Sequence, residues 1–240
     1  MISKFYILKY YMNNILNNID NIDELTLNFE KNKKLKINNF LNIQIAEAIY
    51  KQVYLEKNWL LASGINKNKY EKVDNISNQK ANMLQIKNVI SSFGNDQFSY
   101  IFYRSMNAST MSYLEFVIRQ TLSSPEFIEI LNKITNLGLT KLTTLFLSKY
   151  KAGNFLSPHS DNGNGRLAFV LNLTKNWKPQ YGGVLHFMDE NRIEIIESFV
   201  PGFNNFIIFY VPDGKGIPHF VSHVSPNVKF SRFAITGWFY

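Results

Sequence analysis

Thr143-Thr-Leu-Phe-Leu-Ser-Lys-Tyr150 and Arg166-Leu-Ala-Phe-Val-Leu-Asn-Leu173 are short runs rich in β-branched, aromatic and aliphatic residues, separated by Gly, Asn, Ser and Pro. Runs of this length between turn formers read as strands. The same punctuation continues to the end of the chain, and it sets off Gly183 to Met188, Arg192 to Ile196, Asn205 to Val211, His219 to Val224 and Arg232 to Phe239. So many closely spaced strands argue for a sandwich or barrel. Because helical patterns come before them instead of alternating with them, an antiparallel barrel braced by helices fits better than a parallel sheet.

Upstream, helical spacing covers Ile2 to Asn18 and Asn42 to Glu56, where Ile45, Ala46, Ile49 and Val53 fall on one face. Two more helices are expected at Tyr113 to Leu122 and Pro125 to Ile134, the second with Ser124 as N-cap and Pro125 in the first helical position. Ser63 to Gln79 is polar and aperiodic, and reads as an exposed loop or, if it folds over a pocket, a flap. The fold class is therefore α+β and β-rich. We expect one unit over residues 1–240, with 1–140 mainly helical support carrying early core strands and 141–240 carrying the chemistry.

With 45% hydrophobic and 15% aromatic residues the chain is expected to fold over most of its length. No window has the run of uncharged apolar residues that a membrane span needs, and Lys9 interrupts the apolar start without a small-residue cleavage site after it, so a cytoplasmic protein is expected. The absence of cysteine removes disulfides, thiolate metal sites and a cysteine nucleophile, leaving His, Asp and Glu for any metal. The net charge of +8 raises the question of nucleic acid, but the excess is spread over both halves, and Lys31 to Lys36 and Lys67 to Lys72 read as solvated surface. Nucleic acid is not the expected partner. Asparagine is abundant, so Asn75-Ile-Ser77 and Asn107-Ala-Ser109 are weak glycosylation signals.

All four histidines, His159, His186, His219 and His223, lie in the strand-rich half. In Ser157-Pro-His-Ser-Asp161 the residues His159 and Asp161 are two apart at a strand end, so both side chains leave on one face and can grip one ion. A further histidine would complete a facial two-histidine, one-carboxylate set, which leaves metal positions open for chemistry. Spacing does not decide between His219 and His223, which alternation puts on the same face.

The ordered set Tyr150-Lys-Ala-Gly-Asn-Phe-Leu-Ser-Pro-His159-Ser-Asp161, Arg166-Leu-Ala-Phe-Val-Leu-Asn-Leu-Thr-Lys-Asn-Trp177, Gly182-Gly183-Val-Leu, Pro201-Gly-Phe-Asn204, Pro218-His219-Phe-Val221 and Arg232-Phe-Ala-Ile-Thr-Gly-Trp238 resembles the prolyl 4-hydroxylase-like branch of the iron(II)- and 2-oxoglutarate-dependent oxygenases. The resemblance covers roughly residues 140–240. It implies a double-stranded β-helix (jelly-roll) core, Fe(II), 2-oxoglutarate and O2, with ascorbate as an accessory. It makes His159, Asp161 and His219 the metal set, since the ligand in that family opens a strand as Pro-His-x-Val-x-x-Val. His223 stays as the alternative third ligand or as a group behind it. The stretch from Ser225 to Ser231 lengthens the usual gap to the arginine, and this keeps the alternative open.

In the same resemblance Arg232 receives the distal carboxylate of 2-oxoglutarate, a task suited to a guanidinium fork. Thr236 and Trp238 follow at even offsets on that face; Thr236 can add a hydrogen bond, and Trp238 is equally well read as core packing. Tyr150 matches a tyrosine whose hydroxyl meets the keto-acid end, with plain packing as the other reading. Asn172 departs from the pattern, because several prolyl hydroxylases carry there a tyrosine for the distal carboxylate. An amide still donates a hydrogen bond, so Asn172 is kept as a cosubstrate contact. Gly182 and Gly183 suggest a bulge or close backbone approach, and His186 has no role in the motif.

The implied activity is hydroxylation of a prolyl residue in a protein or peptide, or of a small amino-acid-like molecule, with 2-oxoglutarate converted to succinate and CO2. Asp161 argues against a halogenase, in which a small residue replaces the carboxylate. The competing readings are a catalytically silent barrel-fold binding protein, a nucleic-acid-directed oxygenase of the same superfamily, and a cupin-like metal enzyme.

Overall fold

A computed structural model describes residues 15–56, 59–65, 79–95, 97–105, 113–161, 163–212 and 216–240. The support half begins with helix α1 (Ile22–Asn32), strand β1 (Lys34–Ile37), helix α2 (Ile43–Leu55) and strand β2 (Trp59–Ile65). It continues with α3 (Gln79–Gly94), β3 (Ser99–Ser105), α4 (Tyr113–Leu122) and α5 (Pro125–Thr135). The strand-rich half follows as β4 (Leu142–Tyr150), β5 (Phe155–His159), β6 (Leu167–Asn172), β7 (Leu185–Met188), β8 (Ile195–Phe199), β9 (Asn205–Tyr210), β10 (His219–Val221) and β11 (Arg232–Phe239).

Local signals explain the helix boundaries. Ser124 caps α5 by accepting a hydrogen bond from the Phe127 N–H at 3.2 Å, and Asn136 closes that helix in the left-handed conformation with its N–H on the Asn132 carbonyl. Asn42 caps α2 through Gln44 N–H.

The strands pair antiparallel in the order β1-β9-β6-β11-β4-β3-β5-β10-β7-β8, with β2 also on β3. This is a sheet that curls on itself, as a double-stranded β-helix does. Alternation along each strand feeds two different cores. From β6 and β11, Leu167, Phe169, Leu171, Phe233 and Ile235 turn outward onto Ala46, Ile49 and Val53 of α2 and Phe127, Leu131 and Ile134 of α5. Their neighbours Ala168, Val170 and Ala234 turn inward to meet Leu185, Phe187 and Val221 from the opposing strands. That is why β6 is buried along its whole length, and it fixes which side chains can reach the interior.

Several sequence expectations need correction. The helix expected over Ile2 to Asn18 lies mostly outside the described residues, and its last part is not helical. Asn17 N–H bonds the Phe40 carbonyl at 2.9 Å and Asn42 N–H bonds the Ile15 carbonyl at 2.8 Å, so these backbone groups are taken by another segment. Helices α1 and α3 were not anticipated, and β1, β2 and β3 were expected only in general terms. Of the stretch Ser63 to Gln79, expected as an exposed loop or flap, Ser63 to Ile65 belong to β2 and Gln79 opens α3, and residues 66–78 lie outside the described residues. The strand placed at Arg192 to Ile196 starts later, because Asp189 accepts the N–H groups of Asn191, Ile193 and Glu194 and holds those residues in a turn.

Gly182 and Gly183 do mark a close approach. Both have positive φ, and a Cβ at Gly182 would sit 1.9 Å from the His223 carbonyl oxygen, so the chain after β10 can lie against them only when they lack side chains.

Candidate functional site

His159 closes β5 and His219 opens β10, and the two are directly paired across those antiparallel strands. Their rings lie 4.3 Å apart between centroids. Each imidazole is fixed by its own strand: His159 Nδ1 is 3.0 Å from the Ser157 carbonyl and His219 Nδ1 is 2.9 Å from the Ile217 carbonyl. A carbonyl only accepts, so each Nδ1 carries the proton and each Nε2 is left with its lone pair toward the interior. Asp161 meets both, with Oδ1 at 3.4 Å from His159 Nε2 and Oδ2 at 3.7 Å from His219 Nε2.

The ligand atoms of the three residues lie within 4.8 Å of one another, and all three side chains are buried. Burial alone would raise the Asp161 pKa. In the ligand-free site with both imidazoles protonated, a hydrogen bond from His159 Nε2, the charges of His219 and His159 and a hydrogen bond from Trp238 outweigh it and bring the carboxyl down to about 2; a metal would take the place of the Nε2 protons. Two neutral nitrogens and one carboxylate on a single side suit a divalent transition metal and leave its other positions free.

His223 does not join this group. Strand β10 ends at Val221 after a register shift, so the alternation that would have turned His223 inward is broken. Its exposed ring stacks on Phe155 at 4.1 Å and meets Phe93 edge-on at 4.6 Å. His186 is likewise elsewhere, stacked on Phe220 and 2.7 Å from the Ser198 hydroxyl.

The histidine pair opens into a cavity of about 410 Å³ whose lining includes Tyr150, Arg232, Thr236 and Trp238. Arg232 begins β11 opposite Tyr150 on β4, with its guanidinium 4.9 Å from that ring. It is 2% exposed, and its Nε and Nη1 have no hydrogen-bond partner. Burial lowers the pKa of Arg232 and pushes the Tyr150 phenol up to about 12, with the nearby guanidinium working against that rise. A buried cation with orphaned donors calls for an anion in the cavity. A dicarboxylate reaching from the His159, Asp161 and His219 group to Arg232 would fit that demand.

Asn172 does not line the cavity. It is buried opposite Ala234, with its Oδ1 unpartnered. Trp238 does more than pack, since its Nε1 donates to Asp161 Oδ2 at 3.1 Å. The aromatic wall was also missed. Phe98, Tyr100, Phe102 and Arg104 enter the cavity from β3 and the residue before it, and the alternation of Tyr100, Phe102 and Arg104 was the signal available.

Residues 145–240 match the family model of the 2OG-Fe(II) oxygenase superfamily. Among curated proteins, the chain is 31% identical over 115 residues to prolyl 3-hydroxylase OGFOD1 of Mus musculus and 33% identical over 120 residues to that of Xenopus laevis. These matches cover 46% and 48% of this chain but only 21% and 23% of the relatives, so the chain spans a minor part of their length. Among solved structures, a Pseudomonas putida prolyl-4-hydroxylase superposes with TM-score 0.60 at 15% identity, over 91% of this chain and 97% of that one. The viral collagen prolyl hydroxylase from Paramecium Bursaria Chlorella virus-1 gives TM-score 0.51 at 13% identity, over 88% and 96%. At such identities these two likenesses bear on the fold. Residues 145–240 of this chain are thus similar to the 2OG-Fe(II) oxygenase superfamily, and the curated proteins they resemble are prolyl hydroxylases.

Proposed function

We propose that this chain is an Fe(II)- and 2-oxoglutarate-dependent dioxygenase that hydroxylates a prolyl residue of a protein or peptide, or a small amino-acid-like substrate. One observation carries the reading: the buried, orphaned guanidinium of Arg232 lines the same cavity as the convergent His159, Asp161 and His219. In this reading those three residues hold iron. Arg232 takes the distal carboxylate, and Thr236 and the Tyr150 hydroxyl are the neighbouring hydrogen-bonding groups. When bound, iron with 2-oxoglutarate and O2 supplies the oxidising equivalents for C–H hydroxylation, releasing succinate and CO2.

The residues of the chain position and exclude. The Nδ1 hydrogen bonds to backbone carbonyls keep both imidazoles turned toward the metal position, and Trp238 keeps one Asp161 oxygen from swinging away. Tyr150 stays protonated and can donate to an anion beside Arg232. The wall of Phe98, Tyr100, Phe102 and Phe146 keeps bulk water from the reacting carbon. Asn172 is left out of the contact set, because it does not line the cavity.

The full chain is proposed to act as one unit, in the cytoplasm, with ascorbate serving to keep iron reduced. Among the described residues no helix is long and apolar enough to cross a membrane. The test is succinate formation from 2-oxoglutarate by the iron-loaded protein, with prolyl peptides and free proline as candidate substrates. Succinate above the metal-only background is expected, and its complete absence would favour a silent binding protein of the same fold.

A further inference from the structure

We infer that Arg104 is a second anion-binding group of the cavity, and that it receives a carboxylate of the primary substrate beside the carbon to be oxidised. This rests on the function proposed above.

Strand alternation puts Tyr100, Phe102 and Arg104 on the inner face of β3, and all three line the cavity. The guanidinium of Arg104 lies 4.5 Å from the centroid of the Phe146 ring. Phe146 leans on Trp238 at 6.1 Å, and Trp238 holds Asp161. Arg104 therefore sits on an aromatic shelf that leads to the metal ligands. Among the described residues it forms no ion pair, and Asp161 is the only carboxylate among those lining the cavity. A half-buried guanidinium held over an aromatic face keeps its forked donors free for a planar anion.

Register separates its task from that of Arg232. Along β4 and β11 the inner-face pairs are Tyr150 with Arg232, Ser148 with Ala234, and Phe146 with Thr236. Arg104 is paired with Ser148, and its head leans over Phe146, one row further from Arg232 and nearer Trp238. One arginine thus serves the far end of the cosubstrate and the other the space alongside it.

Charge gives the same division. Iron(II) with the Asp161 carboxylate, a dianionic 2-oxoglutarate and Arg232 together come to neutrality, which leaves the charge of Arg104 unmatched. A carboxylate on the incoming substrate cancels it. That carboxylate has two sources, the α-carboxylate of a free amino acid or C-terminal residue, and an acidic side chain next to the target residue.

The test uses the full chain loaded with Mn(II) and 2-oxoglutarate, and dissociation constants from isothermal titration calorimetry. The probes are N-acetyl-L-proline against its amide, and acetyl-Pro-Asp-amide against acetyl-Pro-Asn-amide. At least one carboxylate probe is expected to bind about ten- to a hundredfold more tightly than its neutral partner, the range of a charge-assisted hydrogen bond. Which pair discriminates identifies the source. Arg104→Gln is expected to erase the difference and Arg104→Lys to keep part of it, while the Fe(II)–2-oxoglutarate absorption of both variants stays as in wild type, which also shows that they fold. Equal binding within both pairs, or discrimination that survives in Arg104→Gln, would overturn the inference. Loss of the absorption in Arg104→Gln with wild-type folding by circular dichroism would assign Arg104 to the cosubstrate instead. A wild-type protein without that absorption sinks the proposed function itself, before any probe is added.

Discussion

Trp238 on the last strand donates its indole N–H to Asp161 at 3.1 Å, across 77 residues of sequence. The other Asp161 oxygen faces His159, so the indole fixes which oxygen turns to which imidazole. Support of this kind for a ligand is commonly worth ten- to a hundredfold in metal affinity. Trp238→Phe keeps the ring and removes the donor. Its Mn(II) dissociation constant by calorimetry is expected to rise about tenfold, with the melting temperature changed little; an unchanged constant would reduce Trp238 to packing.

The third ligand is tested by a pair of variants. His219→Ala removes an Nε2 that faces Asp161, whereas His223→Ala removes a ring stacked on Phe155 outside the cavity. The first is expected to abolish Fe(II) binding by calorimetry, and the second to leave it within about twofold while costing roughly 1 kcal/mol of stability from the lost aromatic contact. The reverse pattern would move the ligand to His223.

Arg232 predicts a stability effect of opposite sign with and without ligand. Its buried donors are unpartnered, so Arg232→Met is expected to leave the ligand-free protein as stable as wild type or more so. With Mn(II) present, 2-oxoglutarate at a hundred times its dissociation constant should stabilise wild type by about 2.7 kcal/mol. For a chain of this size that corresponds to roughly 5–10 °C in melting temperature. The variant should show none of this ligand-dependent shift in differential scanning calorimetry, and an equal shift in both proteins would contradict the role given to Arg232.

Asn204 offers a control away from the metal. Buried and in the left-handed conformation, it accepts the Leu41 N–H at 2.8 Å and donates to the Leu41 carbonyl at 2.6 Å, which ties the start of β9 to the segment before α2. Asn204→Ala breaks both bonds and leaves buried backbone groups unpaired, at a cost of about 2–4 kcal/mol by urea denaturation. Metal affinity below the transition should be unchanged.

What could be read in advance follows from how local each signal is. Turn residues bracket β4, β6, β9 and β11 closely, and Ser124-Pro125 announces α5, so these elements were legible from a few neighbouring residues. His159 and Asp161 were legible together because two-residue spacing at a strand end is a local property. Alternation by itself left His219 and His223 equivalent. They part in space because β10 stops at Val221, where the following chain packs against Gly182 and Gly183, and no local pattern records that contact. Trp238 looked like core for the same reason, since its partner comes from a distant turn. Residues 15–18 kept a helical pattern while their backbone groups were claimed by residues 40–42. Asn172 follows Ala168 and Val170 at even spacing on β6, yet it is buried outside the cavity lining, and depth along a barrel axis is not written in the period of a strand.

The central claim is that His159, Asp161, His219 and Arg232 together bind iron(II) and 2-oxoglutarate in one cavity. Its most direct test is anaerobic addition of Fe(II) and then 2-oxoglutarate to the full chain, watching for the visible charge-transfer absorption of the chelate. The account predicts a band that saturates at one equivalent of iron, needs both components, and is lost in His159→Ala and Asp161→Ala. Folded protein that develops no band with both components in excess would contradict it.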